Sequence, residues 1–368
     1  MAPRIRTPET LWYAPRASAG TVLARAALSP LSLAYRAGAA LHRGLYDAGV
    51  LRALAAPARV VAVGNVVAGG AGKTPVVRAL AQLAISHGVK TAILSRGYGA
   101  TIDPTGVRVR QPDGSLADAH RCGDEPRLLA QALPDVQVYA GPDRAALAER
   151  AVREGGAQLL LLDDGMQHHR LRKDALVAVV RAPHPFGNAQ LLPAGPLREP
   201  ASALRRADAV VVLGASPGVI PEEILRAGVS RERVWTAALT PSGLSVVPSG
   251  EALSLQRLHG ARVVALAGIG RPGALAETLR ECGAEVAELV AVPDHAPVGA
   301  ERWREVAERV RRHGATAVVV TEKDAVKLLA PPLLPVPVWS LAAALTFHAP
   351  EATARLWSIL WPQGGNGG

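Results

Sequence analysis

Cysteine, aromatic residues and lysine are scarce in this sequence of 368 residues. Its two cysteines, Cys122 and Cys282, are far apart in unrelated contexts, which argues against a disulfide framework or a cysteine-built metal site and fits a reducing compartment. Aromatic residues make up only 4% of the chain, too few for a protein that binds nucleic acid by stacking bases. Only five of the 41 basic residues are lysines, so each lysine is more informative than usual.

The chain also lacks a hydrophobic run that could cross a membrane as one helix. The longest uncharged run near the N-terminus, residues 26–35, has ten residues, whereas a bilayer core needs about 20. A later uncharged run, residues 328–350, contains four prolines near its start, which forbid one continuous helix. Arginines break the first apolar stretch before any cleavage-like site. We therefore expect neither a transmembrane span nor a secretory signal.

Positive charge is concentrated at the N-terminus. The chain has a formal net charge of +10, and residues 1–59 hold eight arginines against Glu9 and Asp47, a net charge of +6. Apolar residues recur among these arginines at helical spacing, a pattern typical of a basic amphipathic helix at a membrane surface. A helix packed on its own domain with a solvated arginine face is the alternative, and the sequence leaves both open.

Residues 60–368 alternate short apolar runs with longer periodic segments. This alternation predicts an α/β fold of two units with mainly parallel sheets and helices on both faces. A stretch rich in proline and glycine, residues 183–200, separates a domain at 60–200 from a second α/β domain at 201–368. The predicted strands are Val60–Val63, Thr91–Leu94, Val136–Tyr139, Leu159–Leu162, Leu176–Val180, Ala209–Leu213, Val263–Ala267, Glu285–Val290, Ala317–Val320 and Val336–Trp339. The predicted helices are Thr74–His87, Glu125–Leu133 and Asp143–Glu154.

The strongest local signal is a phosphate-binding loop between the first predicted strand and helix. The strand ends near Gly64, and the loop continues through Gly69, Gly70, Ala71, Gly72, Lys73, Thr74 and Pro75. Such a loop directs backbone N–H groups and a helix N-terminus at phosphate oxygens, and with it the first unit resembles a P-loop NTPase. Lys73 would reach the β- and γ-phosphates, and the Thr74 hydroxyl would hold Mg²⁺. One departure from the full motif is Val67, where a glycine is usual.

An acidic pair follows another buried strand. Asp163 and Asp164 come directly after four leucines. Carboxylates at the carboxyl end of a parallel strand can hold a nucleotide-bound Mg²⁺. A simple turn is the alternative for these residues, but the phosphate-binding loop at an earlier strand end favours magnesium.

Several further segments together match one family. In chain order they are Val63–Asn65, Gly69–Pro75, Leu94–Gly99, Gly123–Pro126, Asp163–Arg170, Leu192–Glu199, Pro293–His295 and Thr321–Lys327. On these segments the chain resembles the tetraacyldisaccharide 4'-kinases, also called lipid A 4'-kinases. The family's loop is built on Gly-Gly-x-Gly-Lys-Thr, so Val67 is compatible with it.

The resemblance implies an ATP- and Mg²⁺-dependent kinase at the cytoplasmic face of the bacterial inner membrane, peripheral or monotopic. Its substrate would be a tetraacyl glucosamine disaccharide 1-phosphate, phosphorylated on the 4'-hydroxyl to give the lipid A precursor lipid IVA. The implied partners are this glycolipid and the membrane surface, with no nucleic acid and no known protein partner.

The resemblance also assigns catalytic residues. Asp124 matches the family's catalytic aspartate, with Lys73 at the phosphates, and His295 matches a partner of that carboxylate in a cleft between domains. Chemistry supports a carboxylate that orients or deprotonates the hydroxyl. From the residues alone, a helix N-cap is the favoured interpretation of Asp124, since it precedes Glu125 and Pro126. Glu125, in the same first turn, is close enough in sequence for a pair with Lys73.

The remaining site residues are donors and acceptors for the glycolipid. The resemblance, together with the bidentate pairing of arginine with phosphate, implies contacts with the 1-phosphate, sugar hydroxyls and acyl carbonyls. These residues are Arg96, Tyr98, Gln167, His168, Arg170, Arg198 and Glu199.

Two other functions share some of these signals. A P-loop GTPase or metallochaperone would have the same loop and acidic pair, but a base-reading motif and metal-binding tracts are missing. Thr321–Asp324 is only superficially like a guanine-reading motif, because Lys323 stands one place too late, and a helix start with Asp324 and Lys327 on one face explains it. The basic pI near 10.3 suggests a nucleic-acid-binding protein, but most of the excess charge is N-terminal.

Overall fold

The central strands form because their residues are apolar on both faces. Val60–Val63 and Leu159–Leu162 are completely or almost completely buried, as expected for parallel strands with helices on both sides. A computed structural model describes residues 8–13, 18–293, 299–328 and 334–362.

The described residues contain the following helices and strands. The helices are α1 Pro8–Tyr13, α2 Ala19–Asp47, α3 Lys73–Ser86, α4 Ala119–Cys122, α5 Asp124–Ala132, α6 Arg144–Gly155, α7 Glu222–Arg226, α8 Pro272–Glu281, α9 Ala300–His313, α10 Glu322–Ala325 and α11 Glu351–Leu360. The strands are β1 Arg59–Gly64, β2 Thr91–Ser95, β3 Val107–Arg108, β4 Gln137–Ala140, β5 Leu159–Asp163, β6 Ala175–Arg181, β7 Ala209–Leu213, β8 Val234–Val247, β9 Ala252–Leu253, β10 Arg262–Ala267, β11 Glu285–Ala291, β12 Ala317–Thr321 and β13 Val338–Phe347.

The chain divides into two units, each assembled from separate segments. Unit 1 comprises residues 1–96, 143–238 and 346–368, and unit 2 comprises residues 97–142 and 239–345. This division differs from the continuous ranges 60–200 and 201–368 that the sequence predicts, because composition cannot reveal which distant segments pack together. The assignment of the segment 1–59 and of separate kinase and closing domains stays a prediction.

Unit 1 is built on a parallel sheet. Its strands follow the order β8, β7, β6, β1, β5, β2, and every neighbouring pair is parallel. The helix α3 packs on β1, β2 and β5, and α11 packs on α3. Because β1, β5 and β2 are neighbours with the same direction, their carboxyl ends lie at one edge of the sheet.

In unit 2 the neighbouring strands follow the order β11, β10, β12, β13, and each pair is parallel. Alternate residues of β10 face opposite sides: Val263 and Ala265 pack with α8 residues such as Leu279, whereas Val264 and Leu266 pack with α9 residues such as Trp303. The unit is therefore an α/β/α sandwich, and the predicted fold class is confirmed.

The helix α2 is one continuous 29-residue helix, capped at its start by the Ser18 side chain. Ser32 Oγ donates to Leu191 O at 3.0 Å and accepts from Ala194 N at 3.1 Å, so one side of α2 packs on the rest of unit 1. Large apolar side chains remain exposed on other sides: Val22, Leu23, Leu31, Leu33 and Leu41. None of the described helices is both long and apolar enough to cross a membrane.

Candidate active site

The phosphate-binding loop joins β1 to α3. Gly72 is the residue before the helix, with φ of 85° and ψ of 32° in the left-handed region, and a Cβ there would lie 2.4 Å from Leu213 Cδ1. Glycine is therefore required at this position. Within the described residues, a Cβ added at Gly69 or Gly70 would meet nothing within 4 Å, so this part of the loop borders open space.

Val67 takes the place of the expected glycine because its segment forms a short β-pairing. It is buried and forms an antiparallel bridge with Leu197. Ala68 N donates to Pro196 O at 2.7 Å, and Arg198 N donates to Val66 O at 2.7 Å. A β-branched residue suits this extended backbone, and the pairing brings Arg198 next to the loop.

The acidic pair lies where β5 ends. Asp163 is 4% exposed, and its Oδ2 accepts a hydrogen bond from Ser95 Oγ at 3.1 Å. Asp164 has its Oδ1 3.2 Å from Lys73 Nζ and accepts from Arg198 through both oxygens, at 3.0 and 2.9 Å. Burial acts to raise the pKa of Asp164, but Lys73 and Arg198 together outweigh it and hold the pKa below its ordinary value.

Asn65, directly after β1, contacts Lys73, the same lysine that pairs with Asp164. Its Oδ1 accepts from Lys73 Nζ at 3.4 Å, and its backbone carbonyl accepts from Gln167 Nε2 at 2.9 Å. Among the described residues, its buried Nδ2 has no hydrogen-bond partner. This Asn65 amide and the glycine turn that borders open space fit a polyphosphate. The oxygens of Thr74, Asp163 and Asp164 fit Mg²⁺.

Gln167 and Glu199 belong to a partly buried polar network that borders a cavity. Gln167 Nε2 donates to Glu199 Oε1 at 2.9 Å, and Arg206 and Arg43 pair with Glu199 Oε2. A cavity of about 400 Å³ is lined by Tyr35, Gly38, Ala39, His42, Gln167, His169, Arg198 and Glu199. Three of the predicted substrate-binding residues therefore share this cavity with the helix α2.

His168 is a neutral hydrogen-bond acceptor. Its Nδ1 lies 2.9 Å from Arg144 Nη2, and because arginine can only donate, Nδ1 must accept. Burial and then the Arg144 charge lower the pKa of His168 to about 3. The neighbouring His169 packs near the rings of His42 and Tyr46, and burial lowers its pKa to about 4.

Four predicted substrate-binding residues lie outside that cavity lining, namely His168, described above, and Arg96, Arg170 and Tyr98. Arg96 is exposed directly after β2, Arg170 forms an ion pair with Asp143 at 3.1 Å, and Tyr98 in unit 2 is 75% exposed.

Asp124 begins α5 in unit 2 and is not the N-cap. Gly123 occupies that position, with φ of 93°, and a Cβ there would lie 3.1 Å from Gly97 Cα. The N-cap alternative for Asp124 is therefore wrong. Asp124 Oδ2 lies 3.7 Å from Lys327 Nζ, and Glu125 Oε1 lies 3.3 Å from Lys323 Nζ, a partner that the sequence did not suggest. His295 lies outside the described residues.

Sequence reasoning gave no site role to Asn65, Ser95 or Arg144, and it placed Lys327 only on one helix face with Asp324, a pair that the structure contains. Asn65 and Ser95 could have been found, because each stands at the carboxyl end of a strand next to the one that ends at Asp163. Arg144 and Lys327 carry no such signal, because only the fold places them beside His168 and Asp124.

Comparisons with known proteins agree with this geometry. Residues 24–360 match the family model of tetraacyldisaccharide-1-P 4'-kinase. The chain belongs to the tetraacyldisaccharide 4'-kinase family. It is 44% identical to the tetraacyldisaccharide 4'-kinase of Anaeromyxobacter dehalogenans strain 2CP-C over 87% of this chain and 85% of that protein. It is 40% identical to that of Rhodospirillum centenum over 94% of each.

A solved member of the family has the same fold. The crystal structure of LpxK from Aquifex aeolicus in complex with ATP superposes with a TM-score of 0.74 and 28% identity, covering 92% of this chain and 99% of that chain. The chain is thus a kinase that uses ATP, and the GTPase and metallochaperone alternatives are set aside. Mg²⁺ is expected for such kinases.

Proposed function

We propose that this kinase transfers the γ-phosphate of ATP to the 4'-hydroxyl of a tetraacyl glucosamine disaccharide 1-phosphate. The observation that carries the proposal is the open glycine turn that leads into Lys73, whose ammonium lies 3.2 Å from Asp164. Family membership supports the same acceptor, because the named relatives are tetraacyldisaccharide 4'-kinases.

We assign nucleotide binding to the loop residues. The backbone N–H groups of Gly69–Thr74 would bind phosphate oxygens, favoured by the helix dipole of α3. Lys73 would move from Asp164 toward the β- and γ-phosphates, since all these anions compete for one ammonium. Thr74, Asp163 and Asp164 are the residues we propose to hold Mg²⁺, which when bound would neutralise charge on the phosphates.

We assign the acceptor's activation to Asp124. Its carboxylate would orient the 4'-hydroxyl and accept its proton as the oxygen–phosphorus bond forms, and His295 would assist by sharing that proton. The position of Asp124 in the first turn of α5 favours its ionised form, since the helix dipole is positive there.

We assign the acceptor's polar head to the cavity lined by Gln167, Arg198 and Glu199. Arg198 and the more exposed Arg96 and Arg170 would contact the 1-phosphate or acyl carbonyls, and Tyr98 and His168 the sugar. Tyr35 and His42 extend this lining onto α2, which suits an acceptor whose acyl chains continue toward that helix.

We further propose that α2 lies on the cytoplasmic face of the inner membrane. Leu23, Leu31 and Leu33 are 58–71% exposed, an apolar surface that water disfavours and a lipid interface accepts. The neighbouring arginines would add about 1 kcal/mol each near an anionic surface.

A kinase assay tests the reaction. The purified chain should convert Mg²⁺-ATP and the tetraacyl disaccharide 1-phosphate into a 4'-phosphorylated product, detected by mass spectrometry. GTP serves as the control donor. Hydrolysis of GTP without any 4'-phosphorylated product would contradict the proposal.

Flotation with vesicles tests the membrane assignment. Replacing Leu23, Leu31 and Leu33 with serine should reduce binding to vesicles that contain anionic lipid, while replacing the isolated exposed Val219 with serine should not. Equal flotation of both variants and the parent chain would show that α2 is only structural.

A further inference from the structure

Two lysines near α10 contact the two carboxylates that begin α5. Lys323 Nζ lies 3.3 Å from Glu125 Oε1, with both side chains partly exposed. Lys327 Nζ lies 3.7 Å from Asp124 Oδ2 and 3.5 Å from Asp324 Oδ1. The side chain of Lys327 is only 7% exposed, so its ammonium is shared between two carboxylates in a nearly dry environment.

Asp324 is itself fixed by the fold. It is 2% exposed, and its Oδ2 accepts hydrogen bonds from Gly268 N at 3.0 Å and Thr321 Oγ1 at 2.7 Å. Gly268 follows β10 and Thr321 ends β12. Asp324 is thus held at the carboxyl ends of two paired strands, and it anchors Lys327 from one side.

The position of the Lys327 ammonium is more restricted than that of a lysine in an exposed ion pair. A buried ammonium needs anionic partners, and the loss of one partner of a buried pair is costly. The 3.7 Å separation from Asp124 is too long for a strong hydrogen bond but short enough for a strong attraction. Lys327 therefore restricts where the Asp124 carboxylate can lie.

We infer that Lys327, anchored by Asp324, is a positioning residue that holds the Asp124 carboxylate in the orientation needed to accept the hydroxyl proton. The inference rests on the proposed role of Asp124. Lys327 acts through Asp124, so its loss affects the chemical step and leaves substrate binding intact.

Steady-state kinetics of Lys327→Met test this inference. We expect kcat to fall about 10- to 100-fold, the scale of a misplaced catalytic group, with KM for ATP and for the glycolipid changed less than about twofold. Lys327→Arg keeps the charge and should recover at least about tenfold of that loss. Arg302→Met removes an exposed ion pair with Glu305 in the same unit and should leave kcat unchanged.

Thermal unfolding accompanies each measurement. If Lys327→Met does not fold, Lys327→Arg is compared with Lys327→Gln at matched Tm: higher kcat for arginine supports the inference, and equal kcat overturns it. A folded Lys327→Met enzyme with parental kcat also overturns it. So does an unchanged kcat with a raised KM for ATP, which would make Lys327 a nucleotide ligand.

The variant Asp124→Asn separates this inference from the proposed function. If Asp124→Asn keeps parental kcat, the proposed base is wrong and the inference falls with it. If Asp124→Asn is inactive while folded Lys327→Met is fully active, only the inference is overturned.

Discussion

Two pairs of adjacent carboxylates, one in each unit, are stabilised in different ways. Asp163 and Asp164 end a buried strand, and their partners Ser95, Lys73 and Arg198 come from the neighbouring strand end and loops. Asp124 and Glu125 begin a helix, and their lysine partners lie about 200 positions later in the chain. The position of the first pair follows from the order of the strands, whereas the partners of the second pair depend on how distant segments pack.

This difference suggests that the first pair serves nucleotide binding and the second pair serves the chemical step. Asp164 is in contact with the phosphate-loop lysine, so its loss should disturb nucleotide binding. Asp124 contacts Lys327 of its own unit and lies outside the phosphate-binding loop, so its loss should disturb the chemical step. Variants of each pair can separate these effects.

The largest effect is expected for Asp124→Asn. Removal of a general base lowers kcat by about 10²- to 10⁴-fold, and ATP affinity measured by calorimetry should be nearly parental because the phosphate-binding loop is intact. Glu149→Gln on α6 is the control, since this residue lies outside both sites. Turnover close to that of the control would contradict the assignment.

A smaller and different effect is expected for Asp164→Asn. The amide cannot balance Lys73 and Arg198, and it is a weaker ligand for Mg²⁺, so kcat/KM for ATP should fall about 10- to 100-fold. A titration of activity with Mg²⁺ should show a raised requirement for the metal. An unchanged Mg²⁺ requirement would contradict the role of Asp164 as a metal ligand and, with it, the proposed difference between the two pairs.

The pH dependence of stability should show a contribution from His168, the hydrogen-bond partner of Arg144. Its pKa is lowered to about 3, so the unfolded chain binds a proton below pH 6.5 that the folded chain does not. Relative to His168→Gln, the parent should lose stability as pH falls from 6.5 toward 4, with a slope up to about 1.4 kcal/mol per pH unit. Denaturant unfolding at several pH values measures this difference, and parallel curves would contradict it.

The smallest effect is expected for Lys323→Met. Its pair with Glu125 is partly exposed, and such pairs contribute less than about 1 kcal/mol. A shift of Tm by only a few degrees is therefore expected. A loss of kcat as large as that of Lys327→Met would show that both lysines position the start of α5.

Regular elements were the most predictable part of the fold. Strands such as β5 and β7 and helices such as α3 agree with the predicted ranges within one or two residues, because their apolar patterns are local. The long strand β8 was missed: Pro241, Ser242 and Gly243 interrupt it, and proline and glycine usually end a strand. The strand β13 runs through Phe347, further than its apolar pattern suggested.

The sequence alone determined the α/β class, the phosphate-binding loop and the acidic pair, because each depends on residues that are close in sequence or on the order of strands. Only the tertiary structure decided that Val67 pairs with Leu197, that Arg198 neutralises Asp164, and that Lys327 is shared by Asp124 and Asp324. Contacts between distant segments have no local pattern, since they depend on how buried charges find partners when the helices and strands pack.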